Sequence, residues 1–462
     1  MKLEEKYKGS FKLAAIGDAL GWMTEFEKSQ DSVKKKFGTD KINSFYGWKK
    51  HVGGRFYGYT DNIKSGSYSD DTQLMLSVAR SIKSDGLVNQ EYFAKKELPD
   101  WLLYSRGAGR TIKNAAQELS KKKPPKWNEN FFDFKIGKTT IDYRDCGANG
   151  AAMRILPIAL ANFGEWSDKI KNEIFGNSIV THGHPRAILG AMLYGYAINT
   201  ILRLRPDDFD YKDFLTKLGK DFHQTFSIDF LDNIIELKSW EKEWNRSSLT
   251  LFDPVSKDSF RTLFESILNE TLDYLRTVYQ SISKRRTDFD VLTKLGCYKH
   301  ETKGSGTSTV IAGIYFTCKY SKNHIKGIEQ AVNSIGTDTD SIAAFAGGLL
   351  GALHGESMIP QRWKHAQDHK YIEETSIRLL EIKENRSEEM KKHTKKEGIK
   401  SITEIEDDRF QVEENVFLET LGEGIVKSKE IQYPLIKDKR NLIYDVKFEV
   451  GQSCRFVKRL SN

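Results

Sequence analysis

Two acidic clusters separated by most of the chain limit what this sequence can fold into. Ser69-Asp70-Asp71-Thr72 lies near the N-terminus, and Asp338-Thr339-Asp340-Ser341, preceded by Gly336-Thr337, lies far downstream in a chain of 462 residues. Each crowds two carboxylates and neighbouring hydroxyls together, which costs repulsion unless a cation sits between them. The donors are all oxygen and suit hard ions such as Mg2+, Mn2+ or Ca2+, whereas zinc normally recruits Cys or His. A fold that brings the two halves together would hold a pair of ions about 3.5–4 Å apart, the kind that clamps both sides of a displacement. Helix capping by Asp or Ser explains many single clusters of this type. Two matching clusters in one chain favour cation binding and make an enzyme the leading expectation.

Composition narrows the setting more than the chemistry. There are 72 basic and 64 acidic residues, a formal charge of +8, so the surface is densely charged with a modest excess that favours phosphate-bearing partners only slightly. Cys146, Cys297, Cys318 and Cys454 are far apart and form no CxxC pair, which excludes a zinc ribbon and a disulfide framework as readings. A reducing cytoplasm is their natural setting. Met1-Lys2-Leu3-Glu4-Glu5-Lys6 lacks the apolar stretch of a signal peptide, and no uncharged run reaches about 18 residues. The expectation is a soluble, cytoplasmic protein with no membrane partner.

Helical periodicity dominates the first three quarters of the chain. It predicts helices over 7–20, 71–82, 151–163, 186–203, 308–320 and 325–335. Residues 28–68, rich in Gly, Lys, Ser and Tyr, read as a long surface loop of the kind that serves as an active-site lid. Residues 121–146 read as an irregular connection. The segment 204–300 is helix-compatible and fits either an inserted helical hairpin or part of the main bundle. Ile342 to Ala352 is small and apolar, as expected of a helix packed closely in a core. After Pro360 the character changes: a charged helix over 371–397 leads into Lys391, Lys392, Lys395, Lys396 and Lys400, followed by alternating runs at 431–433 and 442–450 that carry strand period. The organisation expected is a helical domain over 1–360 and a small mixed α/β extension over 361–462.

Five motifs in order carry a resemblance. Gly17-Asp18-Ala19-Leu20-Gly21-Trp22-Met23-Thr24-Glu25-Phe26, the first acidic cluster, Gly150-Ala151-Ala152-Met153-Arg154, Thr181-His182-Gly183-His184-Pro185 and the second acidic cluster are similar in order and spacing to the ADP-ribosylglycohydrolase family, over about residues 9–360. The resemblance implies an all-α, compact orthogonal helical domain, two Mg2+ with Mn2+ as a substitute, and removal of ADP-ribose from modified targets by cleaving an N- or O-glycosidic bond. It implies Ser69, Asp70, Asp71, Asp338, Asp340 and Ser341 as the metal shell, with serine where the family usually has threonine. Glu25, Asp71 and Asp340 are the implied catalytic residues, and Asp18 a supporting hydrogen-bonding residue. Gly147, Asn149, Gly150, Ala151, Met153 and His182 are implied to contact ADP-ribose, the small residues letting main-chain N–H groups approach a pyrophosphate at a helix start. Arg154 fits either phosphate pairing or a structural role. Gly304-Ser305-Gly306-Thr307 is a further short glycine loop before a helix.

One departure bears on the substrate. Some relatives carry an aspartate within the segment matching Tyr104 to Thr111, where this chain has Arg106 and Arg110 instead. That argues against arginine-linked targets, and with the lysine-rich tail it admits a nucleic-acid-linked substrate. Competing readings are a non-catalytic ADP-ribose binder and, less favoured, another Mg-dependent enzyme acting on diphosphates.

Overall fold

Glycines set how closely the two helices that flank the acidic segments approach each other. In the computed structural model, which describes residues 1–247, 259–389, 393–405 and 410–461, the principal helices are α1 (Leu3–Gly21), α2 (Asp70–Ser81), α3 (Arg110–Leu119), α4 (Pro185–Ile201), α5 (Phe260–Ser283), α6 (Gly306–Lys319), α7 (His324–Val332), α8 (Thr339–His354) and α9 (His369–Lys383). α1 and α8 run antiparallel with their backbones touching. A Cβ on Gly17 would lie 2.2 Å from the Ala343 carbonyl oxygen, one on Gly347 2.1 Å from that of Leu13, and one on Gly351 2.1 Å from that of Gly9. No side chain fits there, so the small apolar run of the sequence is a requirement of this contact. α8 is buried from Thr339 to Leu353, as befits a helix apolar all round. The pairing sets the last turn of α1 against the first turn of α8.

The described residues of the 204–300 stretch pack against the neighbouring helices. The rings of Phe175, Trp240 and Phe260 pack edge to face with centroids 4.8–6.0 Å apart. Trp240 Nε1 donates to the Tyr143 hydroxyl at 3.0 Å, and Arg186 grips Glu270 with two hydrogen bonds of 2.9 and 2.6 Å.

Other expectations need correction. Residues 28–68 are not one loop: Ser29 and Ser32 form a capping box that starts a helix over Gln30–Phe37, and β1 (Trp48–Val52) pairs antiparallel with β2 (Tyr59–Ile63) as a hairpin. The 121–146 connection contains a second hairpin, β3 (Asp133–Ile136) with β4 (Thr139–Asp142). The helix expected over 151–163 is broken into a 3-10 turn at Ala152–Arg154 and a short helix at Leu156–Ala161. Pro157 has no N–H to continue the earlier turn and starts a new one. The charged helix expected to reach 397 ends at Lys383, where Asn385 adopts a left-handed φ of 55°. Lys391 and Lys392 lie outside the described residues.

The alternating tail forms a sheet ordered β5 (Lys400–Ser401), β6 (Asn415–Leu418), β7 (Gly422–Gln432), β8 (Lys439–Phe448), β9 (Ser453–Ser461). Only β5–β6 is parallel. Its apolar face joins the helical core, with Phe456 of β9 against Tyr104 at 5.8 Å between centroids. All four cysteines are free and buried, and among the described residues no helix is long and apolar enough to cross a membrane.

Candidate active site

Asp18 fixes the first acidic cluster. Fully buried near the end of α1, it accepts the Ser69 N–H at 3.0 Å, the Thr72 N–H at 3.0 Å and the Thr72 hydroxyl at 2.5 Å. It thereby satisfies N–H groups that the start of α2 leaves without intrahelical partners. Ser69 is the N-cap and accepts the Asp71 N–H at 3.3 Å. With the helix start tied down in this way, Asp70 and Asp71 occupy the first turn, whose partial positive charge favours carboxylates.

The second cluster is joined to the Glu25 turn by threonines. Thr339 Oγ1 donates to the Gly21 carbonyl at 2.9 Å, Thr24 Oγ1 donates to the Val332 carbonyl at 2.6 Å, and the Glu25 N–H reaches the Gly21 carbonyl at 3.0 Å. The clusters then meet directly: the Ser341 hydroxyl donates to Asp71 Oδ2 at 2.8 Å, across 270 positions of sequence. Glu25 and Asp340 lie close enough for each carboxylate to raise the pKa of its neighbours, and Asp338 acts on both. Asp338 in turn accepts from Asn149 Nδ2 at 3.0 Å.

These groups line one cleft of about 270 Å3, which also includes Gly150, Met153 and His182. Larger cavities exist elsewhere, one of about 450 Å3 beside α1 and α9, but the clustered carboxylates are in the smaller cleft, and chemistry outweighs volume in choosing the site. Burial, reinforced by the neighbouring carboxylates, pushes the pKa values up: Asp70 to about 7, and Glu25, Asp71 and Asp340 well above the usual carboxylate range. One oxygen of Glu25 is buried with no hydrogen-bond partner among the described residues.

Among the described residues, no three His, Cys, Asp or Glu side chains converge as a ready-made cation cage. The carboxylates instead crowd and repel one another, and Asp71 accepts from Ser341. The donor set still fits a hard divalent cation. It is all oxygen and mutually repulsive, and the burial and crowding that raise its pKa values are what a bound cation would offset. Asp70, Asp71, Asp338, Asp340 and Ser341 line the cleft and would hold such an ion. Ser69 does not line it and serves the helix start.

Of the expected ADP-ribose contacts, Asn149, Gly150, Met153 and His182 line the cleft, whereas Gly147 and Ala151 do not. Gly147 and Asn149 knit the loop to the other glycine segment: the Gly306 N–H donates to the Gly147 carbonyl at 3.0 Å and the Asn149 N–H to the Gly304 carbonyl at 2.8 Å. Gly150 has no room for a Cβ, which would lie 2.5 Å from Ile112 Cδ1. The α-helix start expected after it is only a 3-10 turn. Arg154 is fully enclosed, donating to the Gly150 and Asn177 carbonyls at 2.7 Å each and to Thr181 Oγ1 at 2.9 Å. It supports the loop from behind and does not face the cleft. The Thr181 oxygen is also 2.7 Å from His182 Nδ1, while His182 Nε2 is buried with no partner among the described residues. Burial, with the nearby Arg154 charge, holds His182 neutral by depressing its pKa. In the tautomer in which Thr181 Oγ1 donates to Nδ1, the ring hydrogen is on Nε2 and makes it a donor.

Sequence reasoning singled out Arg110 and Arg106 but missed two other cations, Lys303 and Lys50. Arg110 and Lys303 line the cleft, and Lys50 on β1 sits with its ammonium 3.3 Å from the centroid of the Phe26 ring, close enough to act on Glu25, Asp340 and Asp70. Arg106 is committed elsewhere, in a two-pronged bond to Asp61 at 3.0 and 2.9 Å.

Comparison with known proteins places this geometry. The sequence model of a family described as ADP-ribosylglycohydrolase matches residues 1–389. An ADP-ribosyl-(dinitrogen reductase) glycohydrolase of Rhodospirillum rubrum is 26% identical over 43% of this chain, a match that spans 59% of that relative's length. An ADP-ribosylhydrolase ARH3 of Xenopus tropicalis is 23% identical over 82% of this chain and 95% of its own. A solved chain described as an ADP-ribosylglycohydrolase-related protein complex superposes with a TM-score of 0.51 at 18% identity, covering 83% of this chain and 99% of that one, and so shares the fold.

Proposed function

This chain belongs to the ADP-ribosylglycohydrolase family, and from that premise we propose that it is a Mg2+-dependent hydrolase, with Mn2+ as substitute, that frees ADP-ribose from a modified target. The supporting observation is the hydroxyl of Ser341 on the carboxylate of Asp71, at 2.8 Å. That contact, with the Glu25–Asp340 pair, gathers acidic segments from opposite ends of the chain into one cleft beside Gly150 and His182.

Water attacks the anomeric carbon of the distal ribose, the bond to the departing nitrogen or oxygen breaks with its electron pair going to that atom, and the atom takes up a proton. In this reading Glu25 holds and returns the water's proton. Its unpartnered oxygen leaves an acceptor free in the cleft. Divalent cations, which Asp70, Asp71, Asp338, Asp340 and Ser341 would hold, would supply positive charge that keeps the carboxylates ionised and polarises the sugar. The unpartnered His182 Nε2 and the basic side chains of Arg110 and Lys303 suit the polar, anionic ADP-ribose.

The test is mass-spectrometric release of free ADP-ribose from arginine-, serine-, DNA- and RNA-linked conjugates, with Mg2+ supplied and with chelator. Turnover of at least one conjugate, abolished by chelator and by Asp340→Ala, is the expected result. Binding of ADP-ribose with no release from any conjugate would overturn hydrolysis in favour of a binding protein.

A further inference from the structure

The sheet β5–β9 lies beyond the residues the family matches, 1–389, yet it grips the segments around the cleft. The Gln432 side chain accepts the Thr60 N–H at 2.7 Å and donates to the Thr60 carbonyl at 2.9 Å, completing the outer edge of β2 as a further strand would. Arg459 donates to the Tyr57 carbonyl at 2.8 Å, and the Ile436 N–H to that of Phe56 at 3.1 Å. Deeper in, Arg455 of β9 donates to Asp61 of β2 at 2.8 Å while its other nitrogens hold Asp445 at 2.7 and 3.0 Å.

Asp61 is thus shared by two arginines, Arg455 from the sheet and Arg106 from the segment that borders the cleft. Next to Arg106, Gly107 has a φ of 90° and packs so closely that a Cβ would lie 2.9 Å from Asp70 Oδ1. Across the hairpin ladder Asp61 stands directly opposite Lys50, so the two share a face. With its carboxylate committed to two guanidinium groups, Asp61 does not neutralise that lysine. The ammonium stays over Phe26, next to Glu25.

We propose that the C-terminal sheet is a positioning element of the cleft: Arg455, acting through Asp61 and Arg106, sets the Arg106–Gly109 loop against Asp70, and the same clamp on the β1–β2 hairpin holds Lys50 beside Glu25. The consequence for turnover rests on the hydrolytic reading of the cleft; the positioning itself does not. Losing one arginine leaves carboxylates short of a buried partner and frees the loop, and misplacement of about 1 Å near reacting groups is enough to cost up to about 100-fold in rate.

The experiment uses the full chain, with Arg455→Met, Arg455→Lys and Gln432→Ala, and Lys458→Ala on the exposed end of β9 as control. Hydrogen exchange of the amides of residues 105–111 is followed together with kcat and KM for ADP-ribose release. Arg455→Met is expected to speed exchange in 105–111 by about tenfold or more and to lower kcat about tenfold with KM changed less than about threefold. Arg455→Lys restores part of both, and Gln432→Ala moves both the same way by less. Should Arg455→Met fail to fold, Gln432→Ala decides, because it strands no buried charge. Unchanged exchange in 105–111 alongside faster exchange in β7–β9 overturns the proposal and leaves the sheet a self-contained extension. A parent protein that releases no ADP-ribose removes the hydrolytic reading, and the exchange data still decide the positioning.

Discussion

The α1–α8 contact and the contact between the C-terminal sheet and the helices converge on the same cleft by opposite means. In the first, backbone meets backbone through Gly9, Gly17, Gly347 and Gly351, with no charged group involved. In the second, charged and amide side chains span the gap: Arg455 to Asp61, Gln432 to Thr60, and Gln452 to Arg80 at 2.7 Å. A backbone contact is intolerant of added volume and indifferent to pH. A side-chain contact accommodates volume but responds to any change of charge. The acidic clusters are therefore set by the rigid contact, while the loop and hairpin that border them are set by the adjustable one.

The largest expected effect tests where the two regions are welded together. Arg80, near the end of the helix that begins with Asp70, is bound by Glu97 through hydrogen bonds of 2.7–3.2 Å, both residues being buried, and by Gln452 of the tail. Glu97→Gln strands a buried guanidinium and should cost about 3–5 kcal/mol in urea unfolding. Gln452→Ala removes only a neutral acceptor and should cost about 1–2 kcal/mol. Equal losses for the two would mean that the tail, and not Glu97, is the main partner of Arg80.

A smaller effect separates backbone contact from side-chain contact. Gly347→Ala forces a methyl onto the Leu13 carbonyl and should destabilise by about 1–3 kcal/mol despite alanine's helix propensity. In β7, Gly424 is also crowded, though less closely, with Phe448 Cδ1 2.7 Å from where a Cβ would lie against 2.1 Å at Gly347. There the obstacle is the end of a side chain that can shift, so Gly424→Ala should cost less than Gly347→Ala. The reverse order in thermal denaturation would break the distinction.

The same division explains what could be read in advance. The acidic clusters, the helices that bear them and the small-residue run of α8 are legible because each is local, and because five motifs occur in a fixed order. The alternation of β8 was legible for the same reason. Lys50 was hidden in a Gly- and Lys-rich stretch that looks irregular until Gln432 and Asn441, more than 370 positions away, pair with its hairpin. Arg154 and Arg106 illustrate a second limit. A sequence shows that a guanidinium is present but not what faces it, and here one is enclosed by carbonyls and the other is spent on Asp61. The break in the helix expected over 151–163 turns on Pro157, whose effect was visible in the sequence and was outweighed there by the apolar periodicity around it.

The smallest effects are pH-dependent and have opposite signs at two places. In the helical core His354 stacks on His324 with centroids 4.7 Å apart, and burial, then the neighbouring imidazole, push its pKa down to about 4. Depressed below the unfolded value of about 6.5, it contributes stability that is present above that pH and is lost as pH falls toward 4. At the boundary with the sheet, Asp100 accepts the Thr420 hydroxyl at 2.9 Å and its N–H at 3.2 Å, and burial pushes its carboxyl up to about 6. Raised above the unfolded value of about 3.9, it contributes stability that is present in acid and is lost as pH rises through 6. Melting the parent, His354→Gln and Asp100→Asn side by side between pH 4 and 7 cancels the cleft carboxylates, which titrate in all three. The difference between His354→Gln and the parent should shift in the variant's favour on acidification, and that for Asp100→Asn should do so on raising the pH, each by ~1–2 kcal/mol after allowance for solvent screening. Two differences that move in the same direction would mean that one of these groups is not buried as described, and would place the pH response of the two regions under a common control.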